Sequence, residues 1–315
     1  MRVGQNPAKF VKEVAKPARI TVAVLNYIPF ISGFYAEMMD VLKACLDSIQ
    51  ASADLPYDLM VFDNGSCDEV KKWLMNEQDV GRIQYLFFSE KNLGKGGAWN
   101  SILSGAPGEV IAYSDNDCLF SKGWLSRSVE ILEKYPNVGM VTARPFRTND
   151  EYKTSTIQWA EGTSGVQVER GNFIPFDVFR EFDLSLGQSE EEIRQHYDSS
   201  TDIRLTYQGL QTIIGASHWQ FVAYKNTLSQ FLPFTMDRPM GQVRQLDMRI
   251  NASGYLRLMP VDPFVMNMSN TTRVNLGILS SKDQKNNNKR IFEFPLIKKA
   301  LLSLYDWIFR IYYSN

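Results

Sequence analysis

The sequence predicts an α/β protein built on a doubly wound, mostly parallel sheet. Over the first 145 or so of its 315 residues, short apolar runs alternate with segments of helical periodicity. Clusters of turn-forming polar residues follow the apolar runs. In open α/β sheets ligands bind beyond the carboxyl ends of the strands, so these clusters are the first place to look for chemistry.

The apolar runs are predicted as strands because they are short, rich in β-branched residues and bounded by polar sequence. They cover residues 19–25, 57–62, 83–88, 109–113 and 138–143. Apolar residues at three- and four-residue spacing predict helices around 38–49, 70–75, 98–103 and 124–134. Residues 148–210 are polar and weakly periodic, and we expect them to form an insertion over the sheet.

Composition argues against nucleic acid as a partner. The 34 basic and 35 acidic residues leave a formal net charge of −1, without a basic excess. Cys45, Cys67 and Cys118 show no metal-ligand spacing, which predicts reduced thiols in a cytoplasmic protein. We expect no signal peptide and no membrane span, and the alternative location is peripheral, on the inner membrane face.

The sharpest chemical feature is Asp115-Asn116-Asp117, directly after the fourth predicted strand. Two carboxylates in one strand-end turn make a hard oxygen site suited to Mn²⁺ or Mg²⁺, with positions left for water and phosphate oxygens. A metal in such a place stabilises a departing diphosphate. The alternative is a solvated turn in which an aspartate caps the next helix.

This motif is the last of an ordered series in which each member follows a predicted strand. The series is LNY at 25–27, VFDNGS at 61–66, NLGKGGAWN at 92–100 and DND at 115–117. Its order and spacing resemble the family 2 glycosyltransferases with the GT-A fold, over roughly residues 19–145. The resemblance implies a GT-A-type sheet with an acceptor-side insertion, and transfer of a sugar from a nucleoside diphosphate donor.

The resemblance also assigns the nucleotide base to the first two strand ends. It implies that Asp63, with Asn64 beside it, binds the base, and that Asn26 and Tyr27 lie beside the base and ribose. An aspartate accepts the imide N–H of uracil and a tyrosine ring offers a stacking face, which favours a UDP-sugar. The alternatives are an Asx-turn at Asp63 and a half-buried core aromatic at Tyr27.

The remaining donor-side motifs are assigned to the diphosphate and the metal. By resemblance, Asn92, Gly94 and Lys95 lie next to the nucleotide, and Asn116 lies with the two aspartates of its turn at the diphosphate. Lys95 has an alternative as an ordinary solvated lysine. Asn267 stands where related enzymes often carry a metal- or phosphate-binding His, and it is a weaker ligand for Mn²⁺.

The catalytic base is expected in residues 241–255, which resemble a family segment that usually carries acids after its first Gly. Here Gln242 and Val243 stand at those positions. In inverting members an acid of this segment deprotonates the acceptor hydroxyl, so Asp247 is the first candidate and Asp237 the second. The alternative for Asp247 is an ion pair with a neighbouring arginine on the surface of its helix.

The acceptor side carries less pattern. His218 and Trp219 precede an apolar run and are candidates for lining an acceptor pocket, with a structural hydrogen-bonded histidine as the alternative. Residues 294–313 predict a basic, aromatic-rich amphipathic helix. Such a helix either lies in a membrane interface, where it would suit a lipid-linked acceptor, or packs on the catalytic domain.

The expected organisation is an N-terminal extension (1–18), a nucleotide-sugar-binding half (19–145), an acceptor-binding half (146–281), and a linker with the amphipathic helix (282–315). The expected reaction is metal-dependent, inverting transfer from a UDP-sugar to a carbohydrate or lipid-linked hydroxyl, in surface polysaccharide or glycolipid assembly. Two alternatives stay open. A retaining GT-A transferase needs no acid in residues 241–255, and an inactive sugar-nucleotide binding module would account for the altered positions 242, 243 and 267.

Overall fold

A computed structural model of the protein describes residues 4–237 and 243–272. The predicted linker and amphipathic helix at 282–315 lie outside the described residues, as does the start of the 241–255 segment. Among the described residues, no helix has the length and apolar character needed to cross a membrane.

The strands of the described residues form one ten-stranded sheet and one separate two-stranded pair. They are β1 (Ile20–Asn26), β2 (Tyr57–Asp63), β3 (Tyr85–Phe88), β4 (Val110–Asp115), β5 (Cys118–Phe120), β6 (Val138–Val141), β7 (Val166–Gly171), β8 (Asp202–Tyr207), β9 (Leu210–Ile214), β10 (Gln220–Tyr224), β11 (Leu256–Met259) and β12 (Val265–Asn267). Each of the five predicted strands is present, and most of the strand ends differ from the predicted ones by one or two residues.

The α-helices lie between the strands, as expected for an α/β fold. They are α1 (Met38–Ser52), α2 (Asp68–Asp79), α3 (Gly94–Gly105), α4 (Trp124–Lys134), α5 (Thr154–Gly162), α6 (Phe176–Ser185), α7 (Glu190–Ser199), α8 (Lys225–Ser229) and α9 (Val243–Ala252).

The large sheet has the strand order β3-β2-β1-β4-β10-β6-β11-β9-β8-β7. Strands β3, β2, β1 and β4 are mutually parallel, so their carboxyl ends meet at one edge. Following the pairings outward among the described residues, seven of the ten strands of this sheet run in one direction and β10, β9 and β7 run in the other. The predicted α/β fold with a mostly parallel sheet is confirmed.

Helices cover both faces of this sheet. Val22 and Val24 of β1 pack in a core with α1, α2 and α4, whereas Ala23 and Leu25 pack in a second core with α3, α8 and α9. Alternate side chains of a strand point to opposite faces, which explains why all of β1 is buried and why its sequence is continuously apolar.

The polar segment at 148–210 is more regular than its sequence indicates. It contains α5, α6 and α7, and its strands β7 and β8 extend the large sheet rather than cover it. Exposed and half-buried residues alternate along β7, as expected of an edge strand with one wet face. The acidic run in this segment begins α7 as a capping box, since the Ser189 hydroxyl accepts from Glu192 N and the Glu192 carboxylate accepts from Ser189 N.

Candidate active site

A buried network of polar side chains ties together the carboxyl ends of β1, β2 and β4. Asn26 donates through Nδ2 to Asp63 Oδ2 at 2.7 Å and to Ser66 Oγ at 3.0 Å. Asn116 donates to Asn26 Oδ1 at 2.7 Å. Asn26 and Asp63 are fully buried. Polar groups without access to water must be hydrogen-bonded, and these satisfy one another across three strand ends.

Asp63 is engaged on both carboxylate oxygens, because Oδ1 accepts from the Ser66 backbone N–H at 2.9 Å while Oδ2 accepts from Asn26. The bond to Ser66 N is a local side-chain-to-backbone contact three residues on, one residue longer than the Asx-turn predicted as the alternative for Asp63. Direct contact between Asp63 and a base stays a prediction, and the hydrogen bonds make Asp63 a residue that shapes the turn after β2. Ser66 was missed as a site residue, although it closes the cluster of turn formers that begins at Asp63.

Hydrogen bonds also join the loop after β2 to the start of α3. Asn64 accepts from Leu93 N at 2.9 Å and donates to Asn92 Oδ1 at 3.0 Å, and the same Asn92 oxygen accepts from Gly94 N at 2.8 Å. Gly94 has φ of +68°, a left-handed conformation that glycine adopts without a Cβ clash. The predicted nucleotide motifs therefore meet at one edge of the sheet.

The first aspartate of the DND motif is held by two donors. Lys95 Nζ lies 2.6 Å from Asp115 Oδ2, and the Tyr113 hydroxyl donates to Asp115 Oδ1 at 2.6 Å. The Asp115 side chain keeps 24% of its surface exposed. Burial, and then the neighbouring Asp115 carboxylate, raise the pKa of Tyr113 well above its usual value. Tyr113 was missed as a site residue because its position in the apolar run marks it only as a core aromatic.

The second aspartate of the motif lies in an electrostatically unfavourable place. Burial and the nearby Asp115 carboxylate raise the pKa of Asp117 to about 7, while Lys95 lowers it. The pairing of β5 with β12 sets Asn267 opposite Cys118, and Met268 N donates to Asp117 O at 2.7 Å. Asn267 Oδ1 already accepts from Ser269 N at 2.6 Å. The three predicted metal ligands thus belong to one region of the structure.

No cluster of three or more His, Cys, Asp or Glu side chains able to hold a metal occurs in the part of the chain that the structure describes. The donor set is instead a carboxylate pair whose repulsion is offset by one lysine. Hard oxygen ligands in this number fit Mn²⁺ or Mg²⁺ when phosphate oxygens and water complete the shell. The residues present therefore fit a divalent cation that arrives together with a diphosphate.

A second buried cluster lies on α9, β11 and the turn before β10. His218 Nδ1 lies 2.5 Å from Asp247 Oδ2, and Arg257 Nη2 donates to Asp247 Oδ1. Arg257 also donates to the backbone oxygens of Ala216 and Tyr152. Burial lowers the pKa of Arg257, and the adjacent Asp247 carboxylate partly offsets that effect.

The partner of Asp247 was not found from sequence. The alternative predicted for Asp247 is an ion pair with an arginine of its own helix, whereas the structure pairs Asp247 with Arg257 on β11. The available signal was one charged residue, Arg257, inside the apolar run that begins at Leu256. The Asp247 side chain is 5% exposed and both its oxygens are bonded, while His218 is 25% exposed. Asp237 is exposed and accepts from the Thr235 hydroxyl at 3.2 Å.

The two candidate aromatic contacts differ in exposure. Trp219 is buried and its ring stacks on Phe182 with centroids 5.6 Å apart, so it belongs to the core, although its backbone oxygen accepts from Asp115 N at 2.9 Å. Tyr27 is half-buried and meets Tyr35 edge to face at 6.2 Å. Of the two, Tyr27 keeps the accessible ring that stacking on a base requires.

The fold and the order of the motifs at this strand edge are similar to those of GT-A glycosyltransferases. Residues 31–184, slightly less than half of the chain, match the family described as Glycosyl transferase family 2, and this match supports a family 2-like glycosyltransferase. An uncharacterised glycosyltransferase of Nostoc sp. is 27% identical over 161 residues, which cover 49% of this chain and 47% of that protein. The chain thus matches about half the length of this curated relative.

Comparison with solved structures finds similar chains at low sequence identity. GalNAc-T7, in a structure with UDP, GalNAc and Mn²⁺, matches 80% of this chain and 44% of its own at 12% identity and a TM-score of 0.50. The Pyrobaculum calidifontis mannosyltransferase PcManGT, in complex with GDP-Man and Mn²⁺, matches 78% of this chain and 55% of its own at 17% identity and a TM-score of 0.45.

Proposed function

We propose that this protein transfers a sugar from a UDP-sugar to an acceptor hydroxyl with the help of Mn²⁺ or Mg²⁺. The observation that carries the proposal is the carboxylate pair of Asp115 and Asp117 at the carboxyl edge of the sheet, beside Lys95 and the start of α3. A diphosphate brings negative charge that two carboxylates alone would repel. The pair therefore suits a diphosphate only through a cation that both can bind.

Asp115 and Asp117 would hold the cation, with Asn267 beside them. When bound, the cation supplies charge neutralisation for the departing diphosphate. Lys95 adds a positive charge at the same place through its contact with Asp115. The α3 N-terminus, next to Lys95, presents backbone N–H groups that favour anions.

The nucleoside would lie over the turn shaped by Asn26, Asp63 and Asn64, with Tyr27 as the stacking face. Because these polar side chains are occupied with one another, they would supply a rigid floor for the nucleoside. A UDP-sugar with Mn²⁺ is the donor to test first. UDP and Mn²⁺ are also what the GalNAc-T7 structure contains.

For the acceptor we propose a carbohydrate or lipid-linked hydroxyl in surface polysaccharide or glycolipid assembly, reached with inversion at the anomeric carbon and with peripheral membrane contact for a lipid-linked substrate. One observation favours a second candidate. Gln242 and Val243 stand where the family segment usually has acids, which suits a retaining enzyme or an inactive binding module. Product stereochemistry separates an inverting from a retaining transferase, and turnover separates both from an inactive binding module.

The test is release of nucleoside diphosphate from UDP-glucose, UDP-GlcNAc, UDP-GalNAc and GDP-mannose, with Mn²⁺ or with EDTA. We expect metal-dependent release from at least one donor, and a loss on the order of 1,000-fold in Asp117→Asn, because the cation contributes several kcal/mol to stabilising the leaving group. The matched control is Asp79→Asn, which changes an exposed aspartate at the end of α2.

Equal release in the presence of EDTA would contradict the metal assignment. Donor binding without release, in the wild-type protein and with added acceptor sugars, would leave the inactive binding module as the function. Unfolding of Asp117→Asn, seen as loss of its thermal transition, would instead make Asp117 a structural residue.

A further inference from the structure

We infer that His218, held in place by Asp247 and Arg257, is the base that removes the proton from the attacking hydroxyl. The inference rests on the proposed transferase function and names the residue that performs its proton transfer. It departs from the sequence-based candidate, Asp247, which becomes a positioning residue.

Asp247 is poorly placed to act on a substrate directly. Its side chain is 5% exposed, and its two oxygens are taken by His218 and Arg257. A general base must come within hydrogen-bond reach of the proton that it abstracts. The buried carboxylate lacks that access, whereas the His218 ring bonded to it is 25% exposed.

The imidazole is arranged as an acceptor. Its Nδ1 faces Asp247 Oδ2 at 2.5 Å, and a carboxylate in that place favours the tautomer with the proton on Nδ1. The other nitrogen, Nε2, then carries a lone pair. Among residues 4–237 and 243–272, no side chain or backbone group hydrogen-bonds Nε2. The free nitrogen of an oriented histidine is what a base needs.

The dyad is on the same side of the sheet as the DND carboxylate. His218 immediately precedes Trp219, and Trp219 O accepts from Asp115 N at 2.9 Å, so one residue separates His218 from a direct contact with the end of β4. Leu246 of α9 packs in the same core cluster as Tyr113, whose hydroxyl binds the Asp115 carboxylate. His218 therefore lies near the end of β4, on the face of the sheet that α9 covers.

Arg257 makes the arrangement rigid. Its guanidinium is 1% exposed and is bound by the backbone oxygens of Ala216 and Tyr152 as well as by Asp247. Asp247 is thereby held by one oxygen and presents the other to His218. When the ring takes up a proton, its new positive charge lies against that carboxylate, which stabilises it.

The step balances without any further reactant. The hydroxyl oxygen forms a bond to the anomeric carbon of the donor, and the bond from that carbon to the diphosphate oxygen breaks. The electron pair of the broken bond leaves with the diphosphate. The hydroxyl proton passes to His218 Nε2, and from there to water through the exposed part of the ring.

The decisive variant is His218→Asn. The asparagine amide can keep the hydrogen bond to Asp247 that Nδ1 makes, while the Nε2 lone pair is lost. We expect kcat for nucleoside diphosphate release from the active UDP-sugar to fall on the order of 100- to 10,000-fold with an almost unchanged donor KM. His196→Asn is the matched control, because His196 makes a similar contact with Asp183 at 3.3 Å and belongs to α7.

Asp247→Asn tests positioning. We expect a loss of about tenfold or more in kcat alone and no further loss when it is added to His218→Asn, because residues that act as a unit are strongly non-additive. Additive losses would show that Asp247 acts independently of His218. If His218→Asn fails to fold, His218→Gln, which also lacks the imidazole, replaces it in the same comparison.

The outcomes separate the two proposals. Nucleoside diphosphate release that Asp117→Asn abolishes but that His218→Asn or His218→Gln retains within threefold overturns the base assignment and leaves the transferase intact. A wild-type protein that releases nothing from any of the four donors contradicts the transferase function, and the base assignment falls with it.

Discussion

Two buried polar clusters lie at the carboxyl edge of this sheet, and they are built differently. The strand-end network of Asn26, Asp63 and Asn116 contains one charge and two side-chain amides, and it joins neighbouring parallel strands. The cluster of Asp247 and Arg257 contains two opposite charges on separate elements, completed by His218. The first belongs to the half that the family match largely covers, and the second lies beyond residue 184.

The two clusters should differ in the energetic cost of substituting one of their residues. A network of uncharged donors around one carboxylate fixes the shape of a turn at moderate energetic cost. A buried ion pair is costly to desolvate, and removing one partner leaves an unpaired charge in the interior. The second cluster should therefore be more sensitive to substitution, although its residues are harder to find in the sequence.

The largest stability effect is expected for Asp247→Ala. It leaves the Arg257 guanidinium buried without its counter-charge, and breaking a buried pair in this way costs about 3–5 kcal/mol. Denaturant unfolding monitored by circular dichroism measures the loss, with Asp198→Ala as the exposed control. A loss below 1 kcal/mol would mean that Arg257 finds other partners, and the contrast between the two clusters would disappear.

Ligand binding probes the donor side of the site. UDP at a hundredfold excess over its Kd should raise the free energy of unfolding by about 2.7 kcal/mol, and only when Mn²⁺ or Mg²⁺ is present. Thermal shift with UDP, with the metal alone and with UDP plus EDTA separates the contributions. An equal shift in EDTA would show that the nucleotide binds without using Asp115 and Asp117.

The smallest effect is expected for Asp63→Asn. An amide presents one donor group where two donors, Ser66 N and Asn26 Nδ2, now point, so stability should fall by about 1–3 kcal/mol. UDP plus Mn²⁺ should still raise the melting temperature of the variant. If stability is unchanged and the UDP shift vanishes, Asp63 contacts the base directly, as the family resemblance implies. Asp79→Asn serves as the control for loss of charge.

Much of the fold could be predicted from the sequence because its signals are local. Apolar runs bounded by turn formers located β1, β2 and β4 to within one or two residues, and the polar motifs after them lie together as expected of parallel strand ends. The position of β10 between β4 and β6 was not predicted. An antiparallel strand inserted from a distant part of the chain leaves no mark in local periodicity.

The α/β class, the order of the strand-end motifs and the carboxylate pair at Asp115 and Asp117 can all be predicted from the amino-acid sequence. Which polar side chains are hydrogen-bonded to one another, and which face solvent, depends on the tertiary structure. The sequence is the same whether the Asp63 carboxylate is buried and fully hydrogen-bonded or accessible to a ligand. The partner that settles the matter is 37 residues away at Asn26 for Asp63, and 29 residues away at His218 for Asp247. Such pairings depend on how the elements pack, and packing is a property of the whole chain.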